Sequence, residues 1–298
     1  KKAAEYIAAH AAPEDGVICF DEYAPLFAGH IVHRLGPAGD KLAQAQHVFD
    51  ALRTFDETEV TAIYAQCPDE AGLGLAVSNR LKKAAGFHTV DASPLVIGFT
   101  GPTGAGKTSA LRALEQLGGL VLDCDAIYHE LLRTDGALRG AIAGAFGPVF
   151  AADGGLDRQK LGNLVFGDPA ALETLNGIIY ARLPRELRRR MDESDAAVVG
   201  IDAINLIESG AEALCDRTVA VTAPAELRVR RIMARDGIDE RYARMRISAQ
   251  KSDEFYRGKC DYELSNTAET PEDFREIARD FFRRLIGELR EEKNEASR

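Results

Sequence analysis

The octet Gly101-Pro102-Thr103-Gly104-Ala105-Gly106-Lys107-Thr108 follows the apolar run Leu95-Val96-Ile97-Gly98-Phe99. Behind it, Leu111, Leu114 and Leu117 keep helical spacing until Gly118-Gly119 stops the helix. The octet satisfies G-x-x-x-x-G-K-[ST], and a strand before it with a helix after it is the setting in which that pattern binds phosphate. Glycines let backbone N–H groups turn inward around phosphate oxygens, and the helix N-terminus adds partial positive charge there. Lys107 is placed to reach the β- and γ-phosphates, and Thr108 to offer its hydroxyl to Mg²⁺. Gly101, Thr103, Gly104, Ala105, Gly106 and Ser109 complete the expected ATP cradle. Such a loop demands an α/β sheet but does not name the reaction.

At 298 residues the chain exceeds one ordinary core, so two domains are expected. Short apolar strands at Val17-Ile18-Cys19-Phe20, Ile31-Val32 and 60–64 alternate with helical stretches, one from about Asp40 to Arg53 and one carrying Leu75, Val77 and Leu81. This predicts a small α/β domain over 1–91, with Asp91-Ala92-Ser93-Pro94 as linker. The second domain, 94–298, predicts a parallel sheet between helices, with strands at 95–99, 120–122, 197–201 and 217–221. From Pro271 a charged amphipathic helix follows, with Phe274, Ile277, Phe281 and Leu285 as its buried stripe.

The formal net charge of −10 argues against broad binding to nucleic acid or anionic membrane, so anionic ligands must be held by local clusters. The five cysteines are odd in number and never spaced C-x-x-C, which points to free thiols in the reducing cytoplasm. No apolar run reaches the roughly 20 residues of a membrane span. The start at Lys1 without Met leaves open a longer parent chain; the oligomeric state is not legible.

Two further clusters narrow the chemistry. Asp123 and Asp125 end the strand Leu120-Val121-Leu122, where carboxylates face the ligand crevice of a parallel sheet. One can point to the crevice while the other caps the next helix. Arg228, Arg231 and Arg235 recur at i, i+3 and i+7, which sets three guanidiniums on one helix face. An arginine helix at this point suits a lid over the γ-phosphate.

Residues from about Leu95 to Arg284 resemble the dephospho-CoA kinases. The resemblance rests on the loop and on Leu122-Asp123-Cys124-Asp125, Gly155-Leu156-Asp157-Arg158, Leu161, Val165-Phe166 and Leu175-Asn176. It continues through Leu206-Ile207-Glu208-Ser209-Gly210, Arg235-Asp236, Arg246-Ile247-Ser248-Ala249-Gln250 and Leu264-Ser265-Asn266. It implies a P-loop kinase fold with a helical acceptor region, from about Ala126 to Arg190, and a lid. It implies transfer of the γ-phosphoryl group of ATP, with Mg²⁺, to the ribose 3′-hydroxyl of dephospho-CoA. Asp125 is then the general base, Lys107, Arg231 and Arg235 stabilise charge, and Asn266 lies near the adenine. The chain departs from the family pattern at Tyr180-Ala181, in place of His-Pro, and at Ile204-Asn205-Leu206, in place of Pro-Leu-Leu. Both departures bear on the acceptor pocket.

Residues 1 to 90, through Leu35-Gly36-Pro37, Phe49-Asp50-Ala51-Leu52-Arg53 and Ser78-Asn79-Arg80-Leu81, are similar to the C-terminal accessory domain of threonylcarbamoyl-AMP synthases. That implies a fold and no activity. Two alternatives stay open: a kinase for another nucleoside or nucleotide, and a nucleotide-sensing scaffold linked to tRNA modification.

Overall fold

The computed structural model describes residues 1–151, 155–165 and 167–296; Phe166, one of the residues that carry the resemblance, lies outside them. The chain forms two compact units, Pro94–Gly287 and Lys1–Ser93 with Glu288–Arg298.

In the first unit, α1 (Lys2–His10), β1 (Gly16–Cys19), β2 (Ile31–Arg34), α2 (Lys41–Thr54), β3 (Ile63–Ala65) and α3 (Leu73–Ala84) build a parallel sheet of order β2-β1-β3. The central strand β1 is buried along its whole length. Gly16 opens it because a Cβ there would meet the Phe55 ring at 2.4 Å. Asp40 caps α2 by accepting from the backbone N–H groups of Leu42 and Ala43. Ile18, Leu35, Val48, Phe55, Val77 and Leu81 form the core between sheet and helices. Leu75, read from the sequence as an inward position, is exposed; Gly74, Val77, Ser78 and Leu81 are the buried face of α3.

The second unit carries a sheet of order β5-β6-β4-β7-β8, parallel throughout. Its strands are β4 (Leu95–Thr100), β5 (Leu120–Asp123), β6 (Val198–Asp202), β7 (Arg217–Thr222) and β8 (Tyr262–Ser265). β4 is buried along its whole length and β7 along all but its first residue, as in a parallel sheet covered by helices on both faces. The loop helix α4 (Lys107–Gln116) starts directly at Lys107. Helices α5 (Cys124–Thr134), α6 (Gly136–Phe146), α7 (Arg158–Val165), α8 (Pro169–Tyr180) and α9 (Leu183–Glu193) intervene between β5 and β6. Of these, α5 to α8 share a separate core of Leu132, Leu138, Ile142, Leu161, Val165 and Leu175. After β7, α10 (Ala225–Asp236) and α11 (Glu240–Ser248) pair through Val229, Ile232 and Ala243, and α12 (Asp253–Lys259) leads to β8.

The last helix, α13 (Pro271–Ala296), buries Phe274, Ala278, Phe282, Leu285 and Leu289, whereas Ile277 is exposed. The stripe expected from the sequence was out of phase in its middle: the helix buries the small Ala278 and uses Phe282 to reach the sheet. The Phe282 ring meets Phe99 of β4 edge to face, centroids 5.4 Å apart. Truncating Phe282 to Ala costs about 3–5 kcal/mol by the usual penalty for emptying a core aromatic site.

Candidate active site

The phosphate loop runs from the end of β4 to the first turn of α4, and its glycines are sterically required. Gly106 has φ 102°, and a Cβ on it would lie 2.2 Å from Asn266 Nδ2; Gly101 has φ 140°, and a Cβ there would lie 2.1 Å from the Val221 carbonyl oxygen. A loop that presents N–H groups inward must turn its carbonyls outward, where they need donors. Arg228 Nε donates to Thr103 O at 3.0 Å. Arg231 Nη1 donates to Gly104 O and Ala105 O at 3.3 and 3.4 Å, and Asn266 Nδ2 donates to Ala105 O at 2.7 Å. The outer backs of three successive peptides are thereby held.

This support comes from residues the sequence assigned elsewhere. Arg228 is 4% exposed and acts from beneath the loop. Arg231 also donates to Asn266 Oδ1 and Ala268 O, and Arg235 pairs with Asp236 at 2.7 Å. The three arginines therefore do not make one free guanidinium face. Asn266 is buried, and its amide is engaged by the loop, by Arg231 and by the Ala268 N–H. That places it under the loop, bracing Ala105.

Lys107 Nζ donates to Asp202 Oδ1, at the C-terminal end of the adjacent strand β6. Asp202 was not singled out from the sequence; the signal was the apolar run Val198-Val199-Gly200-Ile201 ending in a carboxylate. Burial pushes the Asp202 carboxyl above its ordinary value; Lys107 pulls it back, and Asp123 and Asp125 push the same way as burial. Asp123 stands opposite Asp202 in the β5–β6 register. It caps α5 by accepting from Ala126 N at 2.9 Å, so the capping role falls to Asp123. Asp125 stands exposed in the first turn of α5. Thr108 is exposed at the start of α4, and Ser109 is half-buried beside it.

On the acceptor side, Tyr180 is half-buried at the end of α8. Burial raises its phenol, opposed by a side-chain hydrogen bond with Asn205. The two departures from the family pattern thus meet. The segment holding Asn205 is tied to the sheet by Thr100 Oγ1, which donates to Ile204 O at 2.8 Å.

Oxygen ligands suit Mg²⁺, and the Thr108 hydroxyl and Asp202 carboxylate are the hard donors flanking Lys107. Among the described residues no group of three or more His, Cys, Asp or Glu is placed to hold a metal by itself. The site fits a metal held largely through substrate phosphates.

Comparison with known proteins follows the same division of the chain. Residues 95–272 match the family model of dephospho-CoA kinase, and residues 2–86 match that of the threonylcarbamoyl-AMP synthase C-terminal domain. The dephospho-CoA kinase of Moorella thermoacetica is 36% identical over 160 residues, covering 52% of this chain and 76% of its own. That of Corynebacterium diphtheriae is 34% identical over 198 residues, covering 65% and 94%. The Mycobacterium tuberculosis enzyme is 40% identical over 191 residues, covering 62% of this chain; the match spans 46% of that longer relative. A crystal structure of TT1252 from Thermus thermophilus superposes with a TM-score of 0.56 at 31% identity, covering 66% of this chain and 98% of that one. With the family model matched over more than half its length, from the first strand of the second unit through the loop, Asp125, the arginine helix and Asn266, the chain belongs to the dephospho-CoA kinase family, which completes coenzyme A synthesis.

Proposed function

We propose that this chain's own residues move the γ-phosphoryl group of ATP to the ribose 3′-hydroxyl of dephospho-CoA as follows. The loop amides cradle the phosphates, and Lys107 exchanges Asp202 for the β- and γ-phosphate oxygens when nucleotide arrives. Thr108 and Asp202 would hold Mg²⁺, which would supply positive charge against the phosphates when bound. Asp125, at the mouth of the crevice, accepts the proton of the attacking hydroxyl, which the helices between β5 and β6 hold in line. Arg231 and Arg235 add positive charge on the α10 side. Asn266 and Arg228 keep the loop in shape.

The observation that carries this reading is the Lys107–Asp202 pair at the C-terminal end of the sheet, with Asp123 in register opposite Asp202 and Asp125 two residues on, in the first turn of α5. A nucleotide sensor needs the loop but has no use for a base. ADP formation with and without dephospho-CoA is the direct test. The five free cysteines fit a reducing, cytoplasmic setting. No described helix is long and apolar enough to cross a membrane.

A further inference from the structure

The connector between α11 and α12 makes a contact with the phosphate loop that the transfer reaction leaves unused. Gln250 lies two residues beyond the end of α11 and is half-buried. Its Oε1 accepts from the Thr103 N–H at 3.0 Å, and its Nε2 donates to Thr103 Oγ1 at 2.8 Å. The same Oε1 accepts from Arg228 Nη2 at 3.1 Å, while Arg228 Nε donates to Thr103 O at 3.0 Å. Arg228 Nη1 also stands 3.5 Å from Asp253 at the start of α12. One loop residue therefore has its N–H, its carbonyl and its hydroxyl all held, by two side chains that also bond each other.

The base of this clamp is firm. Arg228 is buried, and Val229 and Ile232 beside it pack on Ala243 of α11. The residue after Thr103 is Gly104, at φ 81°. A loop with three glycines in eight residues is intrinsically loose, and ordering it on binding subtracts from affinity. Fixing Thr103 at three points removes that freedom before ligand arrives.

We propose that Gln250 is a positioning residue for nucleotide, acting through Thr103: its carboxamide presets the phosphate loop and couples it to the α10–α11 hairpin. The proposal rests on the loop being the ATP site and is independent of the acceptor. It distinguishes between substitutions at one position. Gln250→Glu keeps an acceptor for the Thr103 N–H and for Arg228, and the Thr103 hydroxyl can rotate to donate to the second carboxylate oxygen. Gln250→Ala removes every contact. Thr103→Val removes only the hydroxyl.

The test is calorimetric titration of the full chain with MgATP, with thermal unfolding of each variant recorded alongside. Gln250→Ala is expected to bind ATP about 10-fold more weakly, as loss of one or two net hydrogen bonds predicts. Gln250→Glu should stay within about threefold of wild type, and Thr103→Val should weaken binding about three- to fivefold. The double variant Gln250→Ala with Thr103→Val should bind about as Gln250→Ala does, because the shared contact is already gone. A Gln250→Ala protein that melts earlier yet binds ATP within about twofold of wild type shows a merely structural role and overturns the proposal. So does a Gln250→Glu protein as weak as the alanine variant. If Gln250→Ala does not fold, Thr103→Val decides, and unchanged affinity there overturns the proposal. Binding is read without turnover, so a chain that ignores dephospho-CoA would undo the acceptor assignment and leave this test intact.

Discussion

Lys107 of the phosphate loop donates to Asp202, one strand away, and Asp202 stands in register opposite Asp123. This bond holds the lysine side chain at the cradle, beside a half-buried carboxylate. Replacing Asp202 by Asn keeps the shape and removes the charge. The free Mg²⁺ needed for half-maximal rate should then rise about tenfold or more, as loss of a metal-supporting carboxylate usually does. A Mg²⁺ titration at saturating ATP checks this; an unchanged requirement removes Asp202 from the metal site.

Asp125 and Lys107 should separate kinetically. Asp125→Asn is expected to lower kcat by about 10²-fold or more, the usual share of a general base, with ATP affinity within about twofold. Lys107→Ala should damage both. Equal loss of ATP binding in the Asp125 variant, read by calorimetry, shows that the aspartate holds nucleotide instead of taking the proton.

Gly106→Ala should disorganise the loop from below. The new Cβ sits at φ 102° and 2.2 Å from Asn266 Nδ2, so Asn266 must release Ala105 or the loop must move. Left-handed backbone strain alone costs about 1–2 kcal/mol, or roughly 2–8 °C of Tm for a unit this size. Differential scanning calorimetry reads the shift, and ATP affinity should fall with it.

How far the sequence led depends on the range of the interactions. The loop, its strand and its helix were legible because glycine spacing and apolar runs are local. Asp123 as cap was one of two readings the sequence allowed, and only the bond to Ala126 N selects it. Asp202 was missed because its meaning comes from lying beside Lys107, 95 residues away in sequence. The α10 arginines were read as one outward face, since spacing shows phase but not what packs on it; the loop carbonyls claim Arg228 and Arg231. Strand β8, Tyr262–Ser265, was not among the expected strands because it lacks an apolar run: Glu263 and Ser265 are exposed and only Leu264 is buried, as in an edge strand.

Acid should weaken the helical acceptor region at a definable place. Glu186 of α9 accepts from Arg189 Nε at 2.8 Å, Arg189 Nη2 at 2.6 Å and Arg190 Nε at 2.8 Å. The Arg189 hydrogen bonds, then Arg190, hold its carboxyl down at about 2, below the ordinary glutamate value of 4.5. A depressed carboxylate stabilises the fold above its unfolded pKa and loses that contribution as pH falls. Between about pH 4.5 and 2 the wild type should therefore lose more Tm than Glu186→Gln, the gap being a few degrees at pH 6 and closing near pH 2. A constant gap across that range contradicts the assignment.

The central claim is that the site phosphorylates dephospho-CoA. Purified chain with MgATP should be assayed for ADP with dephospho-CoA, with adenosine, with AMP and with no acceptor. Stimulation by dephospho-CoA alone, lost in Asp125→Asn, is the expected result. ADP formation that dephospho-CoA does not raise above the acceptor-free rate contradicts it.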